Sequence, residues 1–262
     1  MRWFAPSAPS PDLGSVLVCQ WSATSAGRHE LIPDGSIELL WIEGGGAWLC
    51  GPDTHGWGFD LPTGTAMSGV RFRPGAGAAV LGLDACAVRD VRVPLADVLG
   101  GKTDRIASER LAEAGGPAER LLVLDDLVRR RVAAPATIPT AELAALVASD
   151  PGRGVERLAE ETGVSSRQLR RRFDRDVGYG PAFFARIARL QRFARAAASG
   201  PRRGLAELAV VAGYVDQSHL AKDCRALAGM TPRELVTTLP RTSVAVRSVQ
   251  DAGAAPERLW AA

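Results

Sequence analysis

A chain of 262 residues exceeds the usual size of one compact domain, so two folding units are the first expectation. Hydrophobic residues make up 46% and charged residues 23%, the balance of a globular protein, and no run of about 18 uncharged apolar residues is present to span a membrane. The net charge of +3 hides an asymmetry: residues 137–240 carry 16 Lys and Arg against 11 Asp and Glu, so the basic surplus is C-terminal, where it suits a phosphate-bearing partner.

The chain opens on Met1, Arg2, Trp3, Phe4, Ala5 and Pro6, without the basic start and continuous apolar run of a secretory signal, and the expected location is the cytoplasm. Cys19, Cys50, Cys86 and Cys224 are far apart and form no C-x-x-C pair, which argues against a disulfide framework or a zinc ribbon and for free thiols. Residues 13–95 are short apolar runs (15–21, 36–42, 47–50, 66–72, 88–95) punctuated by Pro33-Asp34-Gly35, Gly44-Gly45-Gly46, Gly51-Pro52-Asp53 and Pro74-Gly75. That pattern predicts many short strands in a small barrel or sandwich. From about residue 104 the period becomes helical, and Leu121, Leu124, Leu127 and Val128 make one apolar stripe, suited either to packing within the chain or to pairing with a second copy. Pro135 and Pro139 interrupt it, so 131–139 reads as a linker, and the stretch beyond Pro240 reads as a loosely held tail. The expected organisation is an α+β chain: a β-rich sensor or dimerisation domain with trailing helices over 1–134, a helical domain over 137–240 and a tail over 241–262.

Two segments of the helical part share one grammar. In the first, Leu158 and Ala159 face the core, Gly163 permits a tight turn, and Ser165 with Gln168 forms an S-x-x-Q capping box for a helix anchored by Leu169 and Phe173. In the second, 50 residues on, Gly213 takes the place of Gly163, Asp216 is the N-cap and Leu220 corresponds to Leu169. Between them, 179–199 reads as one long helix with Phe183, Phe184, Ile187, Leu190 and Phe193 on its apolar side. Thr231, Pro232 and Glu234 open a last helix as N-cap, first-turn proline and capping-box glutamate. A helix that buries Leu and Phe while turning guanidinium groups outward is suited to a major groove.

The doubled unit, with Gly178 to Pro181, Arg189-Leu190 and a close on Gly229-Met230-Thr231-Pro232, resembles the DNA-binding domain of AraC/XylS transcription regulators over residues 137–240. The resemblance implies a seven-helix domain that sets two recognition helices in successive major grooves, usually bending the DNA. It assigns DNA contacts to Arg167, Gln168, Arg170 and Arg171 in the first unit and to Gln217, Ser218, His219 and Lys222 in the second. Cys224 stands where the family commonly has Phe, which predicts a smaller anchor and looser docking for the second reader. Arg202 and Arg203 suit either phosphate contact or plain solubility. Implied partners are double-stranded DNA, RNA polymerase if the protein activates, a small-molecule effector of unknown identity and a second copy of the chain, with the protein on the nucleoid when DNA-bound.

The first half is similar to the cupin-like, poorly characterised sensor domains joined to such readers, on Pro33-Asp34-Gly35 with Ile37-Glu38-Leu39 and on 69–75. Five of six tryptophans fall in the first 57 residues; they either fill the barrel or line a pocket. Trp21, Trp41, Trp48, Arg71 and Arg73 are the candidate effector residues, with Arg71 and Arg73 on one strand face suiting an anionic or polar ligand, although a surface or interdomain place for the two arginines is the plainer reading. Two histidines, His29 and His55, are a thin supply for metal-dependent cupin chemistry. Cys50, Asp53 and His55 read as a loop, and no nucleophile elbow or phosphate loop occurs, so neither catalytic residues nor a cofactor or metal are expected.

Overall fold

The computed structural model describes residues 4–132, 139–198 and 203–238. The expected linker core at 133–138, the tail 241–262, Trp3 and Arg202 lie outside the described residues. Among those described, no helix is long and apolar enough to cross a membrane.

The first half is a six-stranded antiparallel sheet in the order β1-β2-β7-β4-β5-β8, built from β1 (Phe4–Ser7), β2 (Leu17–Thr24), β4 (Glu38–Ile42), β5 (Gly46–Cys50), β7 (Ala66–Phe72) and β8 (Arg92–Pro94), with a two-stranded ribbon of β3 (Arg28–Leu31) and β6 (Trp57–Asp60) beside it. The β4–β5 turn is the expected triple-glycine hairpin. Side chains alternate across a strand, so β4 sends Leu39 and Trp41 to one face and Glu38 and Leu40 to the other. The first face is covered by α3 (Gly101–Glu113) and α4 (Pro117–Arg129), following the short helices α1 (Gly77–Leu81) and α2 (Leu95–Leu99). Leu124, Leu127 and Val128 of the predicted stripe are buried there, against the sheet of their own chain. Arg129 holds Asp12 at 2.6 Å, pinning α4 to the turn before β2.

Among the described residues the second half has seven α-helices: α5 (Pro139–Ser149), α6 (Val155–Thr162), α7 (Ser166–Val177), α8 (Pro181–Ala198), α9 (Leu205–Ala212), α10 (Gln217–Asp223) and α11 (Pro232–Thr238). The α8 helix starts at Pro181, two residues after the predicted start, because Tyr179 and Gly180 belong to the turn after α7. Its Phe184, Ile187, Leu190 and Phe193 form the centre of one buried cluster that takes residues from all the other helices of this half.

The halves interlock. Ile32, just after β3, is buried in the apolar cluster of the helical domain with Tyr179 and Phe184. The neighbouring Pro33 carbonyl accepts a 2.6 Å bond from Gln191 Nε2 of α8. Further round, Gly56 N–H donates to the Leu227 carbonyl at 2.6 Å, and Arg89 Nη1 donates to the Gly178 carbonyl at 3.1 Å. Gly35 sits at φ +84°, where a Cβ would come 2.5 Å from the Phe184 ring, so only glycine allows this loop to lie against α8.

Ile32→Ala is expected to cost about 2 to 5 kcal/mol, the range for opening a cavity at a buried Ile. Urea unfolding followed by tryptophan fluorescence and by helical circular dichroism will measure it. Both probes should shift together, and a wild-type midpoint would show that this loop does not hold the domains together.

Candidate DNA-binding surface and effector cavity

Each reader is a helix, a left-handed glycine and a capped second helix. Gly163 at φ +65° and Gly213 at φ +88° reverse the chain after α6 and α9, a backbone region that L-residues rarely occupy. At the start of α7 the Ser165 hydroxyl accepts from Gln168 N–H, while Gln168 Oε1 accepts from Ser165 N–H at 3.2 Å, which completes the expected capping box. At the start of α10 Asp216 Oδ1 accepts from His219 N–H at 2.7 Å. The last helix is capped at its start by Thr231 and Glu234 in the same reciprocal way.

Leu169 and Phe173 are fully buried, which forces the rest of α7 outward. Arg167, Arg170 and Arg171 are exposed at i, i+3, i+4 spacing and form no ion pair among the described residues. Three adjacent cations left uncompensated repel one another, a cost that a polyanion removes. Gln168 differs from them, since its carbonyl oxygen is committed to the cap and its amide nitrogen is the group left for a base or phosphate.

On α10, Gln217, Ser218 and Lys222 are exposed, whereas His219 is half-buried with its ring edge-on to Tyr214, centroids 5.1 Å apart. Cys224 is fully buried at the anchor position, and the chain winds there into a π-helical turn, Cys224–Ala228. The smaller anchor is supplemented by charge: buried Asp223 is held by Arg186 at 2.9 Å and faces Arg189 at 3.9 Å, both from α8. This tie between the second reader and the connecting helix was missed from sequence, though Asp223 falls three residues after Leu220 on the buried face. Arg203 is exposed before α9 and pairs with Glu207 at 3.2 Å.

Between the main sheet and the β3–β6 ribbon lies a cavity of about 60 Å³. Of the five effector candidates, Trp21 and Arg71 line it. Trp41 and Trp48 do not: Trp41 faces the helices, under the Arg120 guanidinium at 4.4 Å, and Trp48 bonds its own hairpin through the Gly45 carbonyl. Arg73 lies beyond the end of β7 and donates to the Gly14 carbonyl at 2.9 Å, so the two arginines do not meet at one site. Arg71 is buried at the cavity wall, neither at the surface nor between the domains. It bridges Asp34 at 3.3 Å and Glu38 at 3.1 Å, and Glu38 also accepts from Trp21 Nε1 at 2.5 Å. Burial raises the Glu38 carboxyl above the usual carboxylate range, against the pull of Arg71, and burial likewise raises Asp53, against Arg92. Burial lowers His29, which favours its neutral form, and pushes the Cys50 thiol up to about 12. Sequence reasoning did not single out Asp34, Glu38 or Arg92 for this wall, because their pairing depends on strand register.

The Cys50, Asp53 and His55 stretch forms no metal site: Asp53 is taken by Arg92 at 2.6 Å and by Trp57, and His55 by Thr54 and Asp90. Among the described residues no group of three or more His, Cys, Asp or Glu side chains is arranged to hold a metal ion.

Residues 158–238 match a family described as a helix-turn-helix domain, and residues 6–94 match one described as a domain of unknown function, DUF6597. No curated protein matches the chain. Similar solved structures are those of ToxT from Vibrio cholerae. One, from O395, is 10% identical with a TM-score of 0.44, covering 83% of this chain and 98% of its own. A 1.65 Å P21 form is 10% identical with a TM-score of 0.46, covering 90% and 98%. A wild-type form from strain SCE256 with an unsaturated fatty acid bound is 10% identical with a TM-score of 0.43, covering 81% and 96%. Residues 158–238 of this chain are therefore a helix-turn-helix domain, joined to an N-terminal β domain whose matching family has no described function.

Proposed function

We propose that the protein is a sequence-specific DNA-binding transcription regulator whose N-terminal cavity receives a small-molecule effector. The observation that carries the reading is the pair of glycine-turned, side-chain-capped helices set on one buried helix, the first showing Arg167, Arg170 and Arg171 unpaired among the described residues. Arginine donates two parallel bonds to guanine O6 and N7, so these three are the base-reading candidates, with Gln168 limited to its amide nitrogen. In the second reader Gln217 suits adenine, Ser218 and Lys222 suit phosphate, and His219 is the least available because it packs on Tyr214. One chain carries two readers, so duplex DNA can be held by a monomer. The apolar stripe on α4 is spent inside the chain, so a homodimer would use another surface. RNA polymerase becomes a partner where the operator lies beside a promoter that the protein activates.

An effector signal has a short route. The loops 31–36 and 50–57 supply walls of the cavity (Leu31, Ile32, Asp34, Ser36, Cys50, Gly51, Asp53, Trp57), and the same loops touch α8 and the π turn through Ile32, Pro33 and Gly56. An occupant that prefers one setting of these loops changes the DNA affinity by the same factor by which DNA changes its own.

Footprinting on fragments upstream of the protein's own coding sequence, and of genes found by genome-wide binding, tests the reading. Arg167→Ala and Arg171→Ala are each expected to weaken binding to the specific site by about 1 to 3 kcal/mol and to relax the sequence preference. Lys222→Ala should weaken all sequences alike and lower the salt slope by about 1. Unchanged affinity and preference in both arginine variants would overturn the assignment of α7 as the dominant reader.

A further inference from the structure

Resting on the reading of α7 and α10 as major-groove readers, we infer that Val215 is a specificity-determining residue of the second reader and that it recognises the 5-methyl group of a thymine. Three observations lead there: an extra residue in one turn, its exposure and its place beside Gln217.

The two readers turn with different lengths. Through the first residue after the glycine they match: Val164 N–H donates to the Ala159 carbonyl at 3.1 Å, and Tyr214 N–H donates to the Ala209 carbonyl at 2.9 Å. Both side chains pack on the core of the helical domain. In the first unit the N-cap Ser165 follows at once, whereas in the second Val215 stands between Tyr214 and the N-cap Asp216. Val215 therefore has no counterpart in the first reader. It does not serve the core either, being 84% exposed, the most exposed large apolar side chain among the described residues.

An isolated exposed valine is ordinary on a protein surface. This one is distinguished by where and how it is held. Buried Tyr214 anchors the residue before it, and Asp216 Oδ1 accepts from His219 N–H at 2.7 Å on the other side. A β-branched side chain has few rotamers, so on this fixed backbone Val215 has little freedom to lose when it is covered. It lies at the N-terminal end of α10, the end that meets base edges when such a helix enters a major groove. There it continues the exposed surface of Gln217, Ser218 and Lys222. A valine side chain has no polar atom to offer a phosphate or a base donor, and the apolar group that the major groove presents is the thymine methyl. Gln217, two positions on, suits adenine, whose pairing partner is thymine. Together they make α10 a reader of A·T pairs, in contrast to the guanine-suited arginines of α7. Val210 and Val211 are also exposed, but they belong to α9, the helix that in such units crosses the phosphate backbone.

The test uses full-length protein and the duplex that footprinting defines, with each thymine replaced in turn by deoxyuridine, which removes the 5-methyl group and keeps every hydrogen-bonding atom. Wild-type protein is expected to lose affinity about fourfold at one thymine, the worth of one buried methyl group. Val215→Ala should bind the unmodified duplex about fourfold more weakly, with an unchanged salt slope because no phosphate contact is lost, and should no longer distinguish uracil from thymine at that position. Val210→Ala, the same truncation at an exposed valine away from the start of α10, should keep the uracil penalty in full. Circular dichroism is to confirm that both variants keep the fold, as surface truncations do. A specific footprint in which no uracil weakens binding, or in which the penalty survives Val215→Ala or is lost equally in Val210→Ala, overturns the inference and leaves DNA reading in place. The lack of any sequence-specific footprint overturns that reading and the inference with it.

Discussion

The loop from Leu31 to Ser36 is the constraint on which the rest of the molecule depends. Its Ile32 belongs to the apolar core of the helical domain, its Pro33 carbonyl is bonded by Gln191 of the central helix, and its Asp34 holds Arg71 inside the cavity of the β domain. Gly35, at a φ that L-residues avoid and in contact with Phe184, lets the loop lie flat enough to do all three. A displacement of this loop therefore cannot be local: it moves a wall of the cavity and opens a void around Phe184 at once. Close-packed interiors transmit such shifts because they have little free volume to absorb them.

The helix that receives the loop also holds the two readers. The α8 helix buries Phe184, Ile187, Leu190 and Phe193 between them, and its Gln191, Arg186 and Arg189 reach in two directions, the first to the β domain and the other two to Asp223 of the second reader. The two readers are attached by different physics. The first rests on the fully buried Leu169 and Phe173, with Asp176 at the end of α7 receiving Thr140 and Arg175. The second has Leu220 and the smaller Cys224, and relies on a buried carboxylate bonded to arginine of α8. Such a pair contributes geometry as much as stability, because the cost of burying the charges offsets much of their attraction.

Much of the helical domain was legible from sequence. The two glycine turns, the three N-caps and the alternation of buried and exposed residues on α7 are all set by residues within about four positions of each other, so they are readable without knowing the fold. The strands at 17–24, 38–42, 46–50 and 66–72 were legible for the same reason, being apolar runs between turn residues. The ribbon of β3 and β6 was not. His29 and Glu30 break any apolar run in the first, Gly58 and Asp60 in the second, and what makes them strands is their pairing with each other.

The division at the cavity follows the same line. Sequence by itself determined that the first half would be β-rich and carry most of the tryptophans, and that the second half would carry two capped readers with an arginine face. Only the tertiary structure decided that Trp21 lines a cavity while Trp41 and Trp48 do not, that Arg71 is spent on Glu38 and Asp34 rather than offered to a ligand, and that Ile32 belongs to the core of the other domain. Caps and turns are satisfied by near neighbours along the chain. A cavity is made by register, where Glu38 meets Arg71 across 33 residues and a one-residue slip would put the two on opposite faces, and by contacts such as Pro33 with Gln191 across 158 residues, which no local pattern encodes.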